Sequence, residues 1–249
     1  MPVEYQTEAI LLAVRNWGDA DRMVTLFSRE YGKITAIAYG ARRSKSKLGG
    51  CLQPFSHLDL SLSFAKLKRG LDSVKQCEIM TSFRELREDL TLLAYGNFLA
   101  ELVSELWPER EKDFNAFYIL LHAYHLLLVR NPRITTLAAA WQLLSLAGFQ
   151  PSFDRCLYCE KDLIFPAFID VRAGGVVCPH CDHYQLPEIT RQVRDLIGNL
   201  IRLDWNNPGN FSINGKVLNQ AESILCSFLR FQLDKDLNSL KFIQQINAM

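Results

Sequence analysis

The sequence lacks the long apolar runs that mark membrane proteins. No uncharged apolar stretch reaches the ~18 residues that a membrane-spanning helix requires. The first residues, Met1 to Tyr5, do not place a basic flank before an apolar run, so we expect no secretory signal. Internal repeats and low-complexity stretches are also missing. These absences favour a cytoplasmic protein that has no membrane partner.

Short motifs of the common enzyme classes are missing as well. The sequence has neither the Gly-x-Ser-x-Gly elbow of many hydrolases nor the His-Glu-x-x-His pair of zinc proteases. His122 and His125 lie on a predicted helix, but no carboxylate lies one turn away, and packing or surface roles explain them better than a metal pair. Ion pairing or turn capping explains Asp19 and Asp21 better than nuclease chemistry does. The sequence therefore predicts that the protein is not an enzyme; the rival interpretation is a cryptic nuclease or phosphotransferase that uses these histidines or aspartates.

Charge is modest and unevenly distributed along the chain. Of the 249 residues, 49% are apolar and 22% are charged, and the net charge is +1, as in a soluble globular protein of one large or two ordinary domains. Residues 1–80 contain 12 Lys and Arg against 8 Asp and Glu, whereas the remainder contains 16 against 19. If the protein binds a polyanion, the site is therefore expected near the N-terminus.

The N-terminal part of the chain has the pattern of short strands. Residues His57 to Phe64 alternate polar and apolar without a break, which is typical of a strand with one buried face. The predicted strands are Thr7–Val14, Met23–Phe27, Ile34–Tyr39, His57–Phe64 and Ser73–Met80. Five short strands punctuated by glycine turns predict a small barrel, with the five-stranded OB-fold as the leading candidate. Periodicity alone does not distinguish it from an SH3-like barrel.

After Met80 the apolar residues recur at helical spacing. The predicted helices cover about 83–106, 113–130, 134–148, 190–203, 216–233 and 240–246. Gly148 is expected to cap the third of them. We place the boundary near Ser82, which gives an N-terminal barrel over residues 1–81 and an all-α domain over 82–249. A cysteine module at 154–184 interrupts the helical domain.

Four of the seven cysteines form two tight pairs, Cys156/Cys159 and Cys178/Cys181, each with two intervening residues. This spacing predicts one tetrahedral zinc site, and the segment between the pairs is long enough for a hairpin that returns the second pair to the first. Four thiolates fill the coordination shell, so we expect one structural Zn²⁺. The alternatives are ordinary thiols, two disulfides, or replacement of one thiolate by a nearby histidine, His180 or His183.

The strongest local charge is the basic segment, residues 42–47, which places four cations in six residues directly after an apolar strand. On a small barrel such a segment favours single-stranded nucleic acid, which these barrels bind in basic grooves lined by aromatics. A solvated surface run is the alternative. The predicted nucleic-acid-binding residues are Arg42, Arg43, Lys45, Lys47, Tyr39, Lys66, Lys68 and Arg69. The other candidate stacking aromatics are Trp17, Phe27, Tyr31, Phe55 and Phe64, and most of them are expected to pack in the core.

Several motifs in a shared order resemble the bacterial RecO family of DNA repair and recombination mediators. The resemblance covers essentially the whole chain. Its motifs are Trp17–Asp21, Val24–Phe27, Tyr31–Lys33, Ala38–Ser46, Gly49–Phe55, the cysteine quartet with Gly174–Cys178, and Leu237–Ile243. One departure is Glu160–Lys161 after the first cysteine pair, where a glycine is more usual.

The resemblance implies an N-terminal OB-fold and an α-helical C-terminal domain that holds zinc. It also implies a nonenzymatic activity: binding single- and double-stranded DNA, annealing complementary strands, and assisting RecA onto strands coated by single-strand-binding protein. RecR and single-strand-binding protein are the implied direct partners, RecA an indirect one, and a nucleoid-associated cytoplasmic location follows. The family's basic-loop role transfers to Arg42, Arg43, Lys45 and Lys47. A zinc-stabilised adaptor between proteins, with weak and incidental DNA binding, is the alternative function.

Overall fold

The computed structural model describes residues 3–65, 70–209 and 213–247. Its N-terminal part is a closed five-stranded barrel with the strand order β1-β2-β3-β5-β4. The strands are β1 (Glu4–Trp17), β2 (Asp21–Ser28), β3 (Gly32–Ala38), β4 (His57–Ser63) and β5 (Asp72–Thr81). A parallel contact between β3 and β5 closes the barrel, and the other neighbours pair antiparallel. This order is that of the OB-fold and resolves the choice left open by the sequence.

The first strand is long because it pairs on both sides of the barrel. Its N-terminal half runs antiparallel to β4, and its C-terminal half runs antiparallel to β2, with a register shift between Leu11 and Ala13. Such a bulge adds local twist, which lets one strand curl between two neighbours. The alternation predicted for β4 is confirmed, since Leu58, Leu60 and Leu62 are buried in the barrel core.

The helices differ from the sequence prediction in two respects. A short helix, α1 (Lys47–Cys51), lies between β3 and β4 and was not predicted. The helix predicted over about 83–106 is two helices, α2 (Arg84–Glu88) and α3 (Leu90–Leu106). Asp89 is extended between them and its side chain caps α3 by accepting from the Leu92 amide. This capping interaction therefore divides a segment in which the helical spacing of the apolar residues predicted a single helix.

The rest of the helical domain contains five more helices and a small sheet. The helices are α4 (Phe114–Leu127), α5 (Pro132–Leu144), α6 (Arg191–Ile201), α7 (Gly215–Leu233) and α8 (Asn238–Asn247). A π-helical turn at Ser145–Phe149 follows α5, and Gly148 there takes a left-handed φ of 88°, as its predicted capping role requires. The cysteine module contributes a three-stranded sheet of β6 (Ala167–Asp170), β7 (Gly175–Val177) and β8 (Glu188–Ile189).

The chain divides into two compact units. Unit 1 comprises the residues up to Pro132 together with those from Ser239, and unit 2 comprises Arg133–Asn238. Unit 1 therefore contains the barrel and helices α1 to α4 and nearly all of α8, whereas the cysteine module lies in unit 2. The change from strands to helices occurs near Ser82, as the sequence indicates, but the first helices cluster with the barrel. Within the described ranges, none of the helices has the length and hydropathy needed to span a bilayer.

Candidate metal centre and nucleic-acid surface

The four cysteines of the module converge in the structure. The sulfur atoms of Cys156, Cys159, Cys178 and Cys181 all lie within 4.8 Å of one another. Three of the sulfur pairs are separated by 3.7–3.8 Å. Zinc–sulfur bonds of about 2.3 Å in a tetrahedron place the sulfurs about 3.8 Å apart, so the quartet fits one tetrahedral Zn²⁺. All seven cysteines are free thiols in the structure.

A hairpin between the two cysteine pairs brings them together. Strands β6 and β7 pair antiparallel, and Gly174 in their turn has a left-handed φ of 79°. At Gly175 a Cβ atom would lie 2.6 Å from the carbonyl oxygen of Ser152, so the backbones approach too closely for a side chain. The Leu157 amide donates to the Val176 carbonyl oxygen at 2.9 Å, which joins the first cysteine turn to β7. The predicted hairpin is therefore confirmed.

The local electrostatics favour a thiolate at Cys156. Burial opposes ionisation of this thiol, but amides of Cys178, Cys159 and Tyr158 donate to its sulfur and lower its pKa to about 6. The Cys178 amide is 3.3 Å from the Cys156 sulfur. A cation in the quartet would stabilise the ionised thiols further, because metal binding releases the thiol protons. The quartet thus offers a metal the donor type that zinc prefers.

Neither neighbouring histidine belongs to the sulfur cluster. The ring of His183 stacks on Phe168 with centroids 3.9 Å apart, and its Nδ1 lies 2.7 Å from the Cys181 carbonyl oxygen. His180 is exposed. The geometry therefore favours four thiolates over three thiolates and one histidine.

Glu160, the residue at which the sequence departs from the family pattern, takes a left-handed φ of 58°. Its amide donates to the Cys156 carbonyl oxygen at 2.9 Å and closes the first cysteine turn. A non-glycine residue in this conformation costs about 1–2 kcal/mol, whereas the extra chain entropy lost by glycine costs about 0.5–1 kcal/mol. The glycine that is more usual here would relieve strain that Glu160 carries.

We therefore expect Glu160→Gly to stabilise the module by about 0.5–1 kcal/mol, because the relief of strain exceeds the entropic cost. The measurement is the chelator concentration that releases half of the bound metal, together with the thermal unfolding midpoint. Glu160→Gln controls for the lost charge, and Lys161→Gly controls for glycine at a neighbouring residue outside the left-handed region. A loss of stability in Glu160→Gly equal to that in Lys161→Gly would contradict the strain assignment.

In unit 1, the basic segment is built from consecutive hydrogen-bonded turns. The Arg43 amide donates to the Gly40 carbonyl oxygen at 3.1 Å, and the Ser46 amide donates to the Arg43 carbonyl oxygen at 3.0 Å. Ser46 then caps α1 by accepting from the Gly49 amide. Ala41 is buried in the barrel core. The segment is therefore anchored at its start and its end, and its cations project from a defined backbone.

The side chains of the basic segment are exposed, and one of them is committed to a contact within the protein. Arg42, Arg43, Lys45 and Lys47 are all exposed. The Arg42 guanidinium donates from Nη1 to the carbonyl oxygens of Gly18 and Asp19, at 3.1 Å each. Asp21 accepts from the Gly40 amide at 2.7 Å, in the turn-capping role expected for it. The predicted residues Lys66, Lys68 and Arg69 lie outside the described residues.

The structure separates the aromatic side chains of the barrel into three groups. Phe27 and Phe55 are core residues. Tyr31 and Phe64 pack with Tyr5 in an aromatic cluster. Trp17 and Tyr39 are 48% and 61% exposed. Trp17 and Tyr39 are therefore the most exposed rings of this set, whereas Phe64, 37% exposed, is packed against Tyr5.

One of the exposed aromatics, Trp17, lies on the outer face of the barrel. Arg15 on β1 is opposite Met23 on β2, which is opposite Ile37 on β3. Because side chains alternate along a strand, Trp17 points to the same side as this row, and the exposed Tyr39 directly follows the end of β3. The face of strands β2 and β3 is where OB-folds bind oligonucleotides. Sequence reasoning missed Arg15, although its position two residues before Trp17 was a usable signal.

The carboxylate of Asp72, the first residue of β5, connects that strand to Ala65, which follows the end of β4. It accepts from the Ala65 amide at 3.1 Å and from the Tyr5 hydroxyl, and it pairs with Arg110. Burial raises the pKa of Tyr5, so this phenol stays protonated and donates.

The two histidines considered as a metal pair, His122 and His125, lie elsewhere in unit 1. His122 packs on Tyr118, and His125 packs on Phe83. Burial lowers the pKa of both histidines.

Comparisons with known proteins agree over both parts of the chain. The family described as Recombination protein O N terminal matches residues 1–83, and that described as Recombination protein O C terminal matches residues 87–241. A protein named DNA repair protein RecO from Pelotomaculum thermopropionicum is 32% identical over 243 residues, which cover 97% of this chain and 94% of that protein. Proteins of the same name from Symbiobacterium thermophilum and Bacillus mycoides are 31% and 28% identical, over 98% and 97% of both partners.

Proposed function

Because the chain belongs to the RecO family of DNA repair and recombination proteins, we propose that it acts as a nonenzymatic recombination mediator. In this proposal it binds single- and double-stranded DNA, anneals complementary strands and assists RecA onto strands coated with single-strand-binding protein. RecR and single-strand-binding protein are its direct partners, and it works in the cytoplasm in association with the nucleoid.

The observation that supports this proposal is the exposed basic segment beside two exposed aromatic rings on an OB-fold. Arg43, Lys45 and Lys47 present cations, and Tyr39 presents a ring, next to the face that OB-folds use for oligonucleotides. Cations track the phosphates, and aromatic rings stack on bases of any sequence. A surface of this kind binds strands without reading their sequence, as an annealing protein requires.

Annealing on such a surface needs no external energy source. Two DNA strands repel one another through their phosphates, and a cationic surface that holds both strands screens this repulsion. Binding releases condensed counterions, so the effect weakens as salt rises. The base pairs that form then supply the free energy of the reaction. The proposed role therefore requires neither a nucleotide nor a catalytic residue.

We propose that the cysteine quartet holds one Zn²⁺ with a structural role. Cys156, Cys159, Cys178 and Cys181 would supply all four ligands, and a tetrahedral thiolate shell leaves no position for a reactive water. When bound, the metal holds the two cysteine turns and the β6–β7 hairpin together. The surrounding apolar residues Leu163, Val177 and Leu186 add a small core that covers the thiols.

The experiment that tests the proposed function measures the annealing of two complementary labelled oligonucleotides. Fluorescence energy transfer between the labels reports the rate, and the reaction contains no nucleotide cofactor. We expect the protein to accelerate annealing at low salt, to lose this effect as salt approaches physiological concentration, and to leave both strands intact. Absence of acceleration by folded, metal-loaded protein would contradict the mediator proposal. It would favour the alternative, a zinc-stabilised adaptor. Divalent-metal-dependent cleavage of the strands would instead favour a nuclease.

A further inference from the structure

The Arg42 side chain turns back onto the connection between β1 and β2. Its Nη1 atom donates to the carbonyl oxygens of Gly18 and Asp19, and its backbone amide donates to the carbonyl oxygen of Ala20 at 2.9 Å. One residue of the basic segment thus satisfies three consecutive carbonyl groups of this turn. Both side-chain bonds come from the two N–H groups of Nη1, which lies one bond further from Cα than the Nζ atom of a lysine would. The contact therefore fixes the turn against the basic segment.

The turn fixed in this way follows Trp17, the last residue of β1. Trp17 is opposite Asp21, the first residue of β2. The Asp21 carboxylate accepts from the amide of Gly40, which directly follows Tyr39. The contacts of Asp21 and Arg42 therefore link the backbone that carries Trp17 to the backbone that carries Tyr39. Trp17 belongs to the outer face, with Arg15 two residues before it on that face, and the exposed Tyr39 directly follows the end of β3.

Trp17 differs from the other tryptophans of the protein in its exposure. Trp107, Trp141 and Trp205 are 4%, 0% and 6% exposed, whereas Trp17 is 48% exposed. Burial of an indole is strongly favourable because of its large apolar area, so a half-exposed tryptophan leaves much of this free energy unused in the free protein. A base stacked on the indole would recover it. The neighbouring cations would hold the phosphate backbone of the same strand.

We propose that Trp17 stacks on a base of bound single-stranded DNA, and that Arg42 is a positioning residue that holds the turn behind Trp17. This inference rests on the proposed function, because it names the residues through which the barrel face binds a strand. It divides the basic segment into two roles. Arg43, Lys45 and Lys47 contact phosphates, whereas Arg42 acts on DNA through Trp17.

The first test uses the intrinsic fluorescence of the protein, since Trp17 is its exposed indole. Titration with oligothymidylate at low salt is expected to quench this fluorescence and to protect it from acrylamide. Trp17→Phe should abolish both changes, because the three remaining indoles are buried. Base–aromatic stacking is worth about 1–3 kcal/mol, so Trp17→Ala should weaken binding by about 5- to 150-fold, and Trp17→Phe by less. Saturable binding with unchanged Trp17 fluorescence would overturn the stacking role.

The second test separates positioning by Arg42 from contact with a phosphate. Each phosphate neutralised on a single strand contributes about 0.7 to the slope of log affinity against log salt. Arg43→Ala should lower the slope by about this amount and leave Trp17 quenching at saturation unchanged. Arg42→Ala should weaken binding and reduce Trp17 quenching while the slope stays unchanged. Arg42→Lys keeps the charge, but its shorter side chain does not reach the carbonyl oxygens of Gly18 and Asp19, so it should resemble Arg42→Ala in both readouts.

The outcomes distinguish this inference from the function on which it rests. If Arg42→Ala lowers the slope as much as Arg43→Ala and Arg42→Lys restores it, Arg42 contacts phosphate and the positioning role is wrong. If the wild-type protein binds DNA but Trp17 does not respond, the mediator proposal stands and the stacking role fails. If folded wild-type protein does not bind oligothymidylate at low salt, both fail. Metal content and circular dichroism of each variant confirm that the protein is folded.

Discussion

Replacement of Cys156 by serine is expected to release the bound zinc and unfold the cysteine module. Structural zinc sites contribute on the order of 10 kcal/mol to folding in small zinc peptides, which is the largest effect expected for a single residue of this chain. Cys156 is buried, and its sulfur accepts from the Cys178 amide, so a serine would also lose this charge-assisted hydrogen bond. Cys178→Ser, on the other side of the quartet, should have the same effect.

Elemental analysis of the purified protein gives the first measurement, and hydrogen exchange gives the second. We expect one zinc per wild-type chain and loss of zinc in both variants. Exchange protection should disappear from residues 154–184 while the barrel amides remain protected. Cys226→Ser is the matched control, because Cys226 is also in unit 2 but lies on α7, outside the sulfur cluster. Wild-type protein without zinc, or a Cys156→Ser variant that keeps it, would show that the quartet is not a structural zinc site.

Replacement of Arg42, Arg43, Lys45 and Lys47 by alanine together is expected to weaken single-strand binding for all sequences. If Arg43, Lys45 and Lys47 each neutralise one phosphate, the slope of log affinity against log salt should fall by about 2. The same relation predicts a loss of affinity of about a hundredfold near 0.1 M salt. The loss should be similar for strands of different sequence, because phosphate contacts carry no base information. Fluorescence anisotropy over a salt series measures both quantities.

A control is needed because the quadruple variant also changes the net charge. Arg84→Ala combined with Arg230→Ala removes two cations from the exposed surfaces of α2 and α7, where each pairs with a nearby acid. This control should change the slope little, since neither residue lies on the barrel face. An equal change of slope per cation in the two variants would mean that overall charge, and not the basic segment, determines the binding.

The sequence was sufficient to predict features that depend on residues close together along the chain, such as strand β4 and the cysteine cluster. The alternation from His57 to Phe64 predicted β4 because Leu58, Leu60 and Leu62 are buried in the barrel core, whereas Asp59 and Ser61 between them are not buried. The spacing of the cysteine pairs predicted that the four thiols converge, because a two-residue gap lets one turn direct both sulfurs to a common centre. Both features depend on residues near one another in sequence, and for such features a single sequence carries enough information.

Features that depend on distant contacts could not be predicted in this way. The barrel order depends on the parallel pairing of β3 with β5, which no local period encodes. No local pattern shows that Trp17 is exposed and Phe55 is buried, because both are aromatic residues near turns. Only the fold distinguishes them. Arg42 reads as one more cation of a basic run. Its contact with the β1–β2 turn appears only when residues more than twenty positions apart are brought together.

The division of unit 1 into two chain segments has a consequence for the order of synthesis. Its last segment begins at Ser239, whose amide donates to Glu101 of α3 at 2.8 Å and whose hydroxyl bonds to the same carboxylate. A ribosome must therefore make all of unit 2 before α8 can reach α3. Because domains fold as units while the chain emerges, Cys181 is available to complete the cysteine cluster before the unit that contains the barrel receives its final helix. Unit 1, whose synthesis starts first, is therefore completed after unit 2.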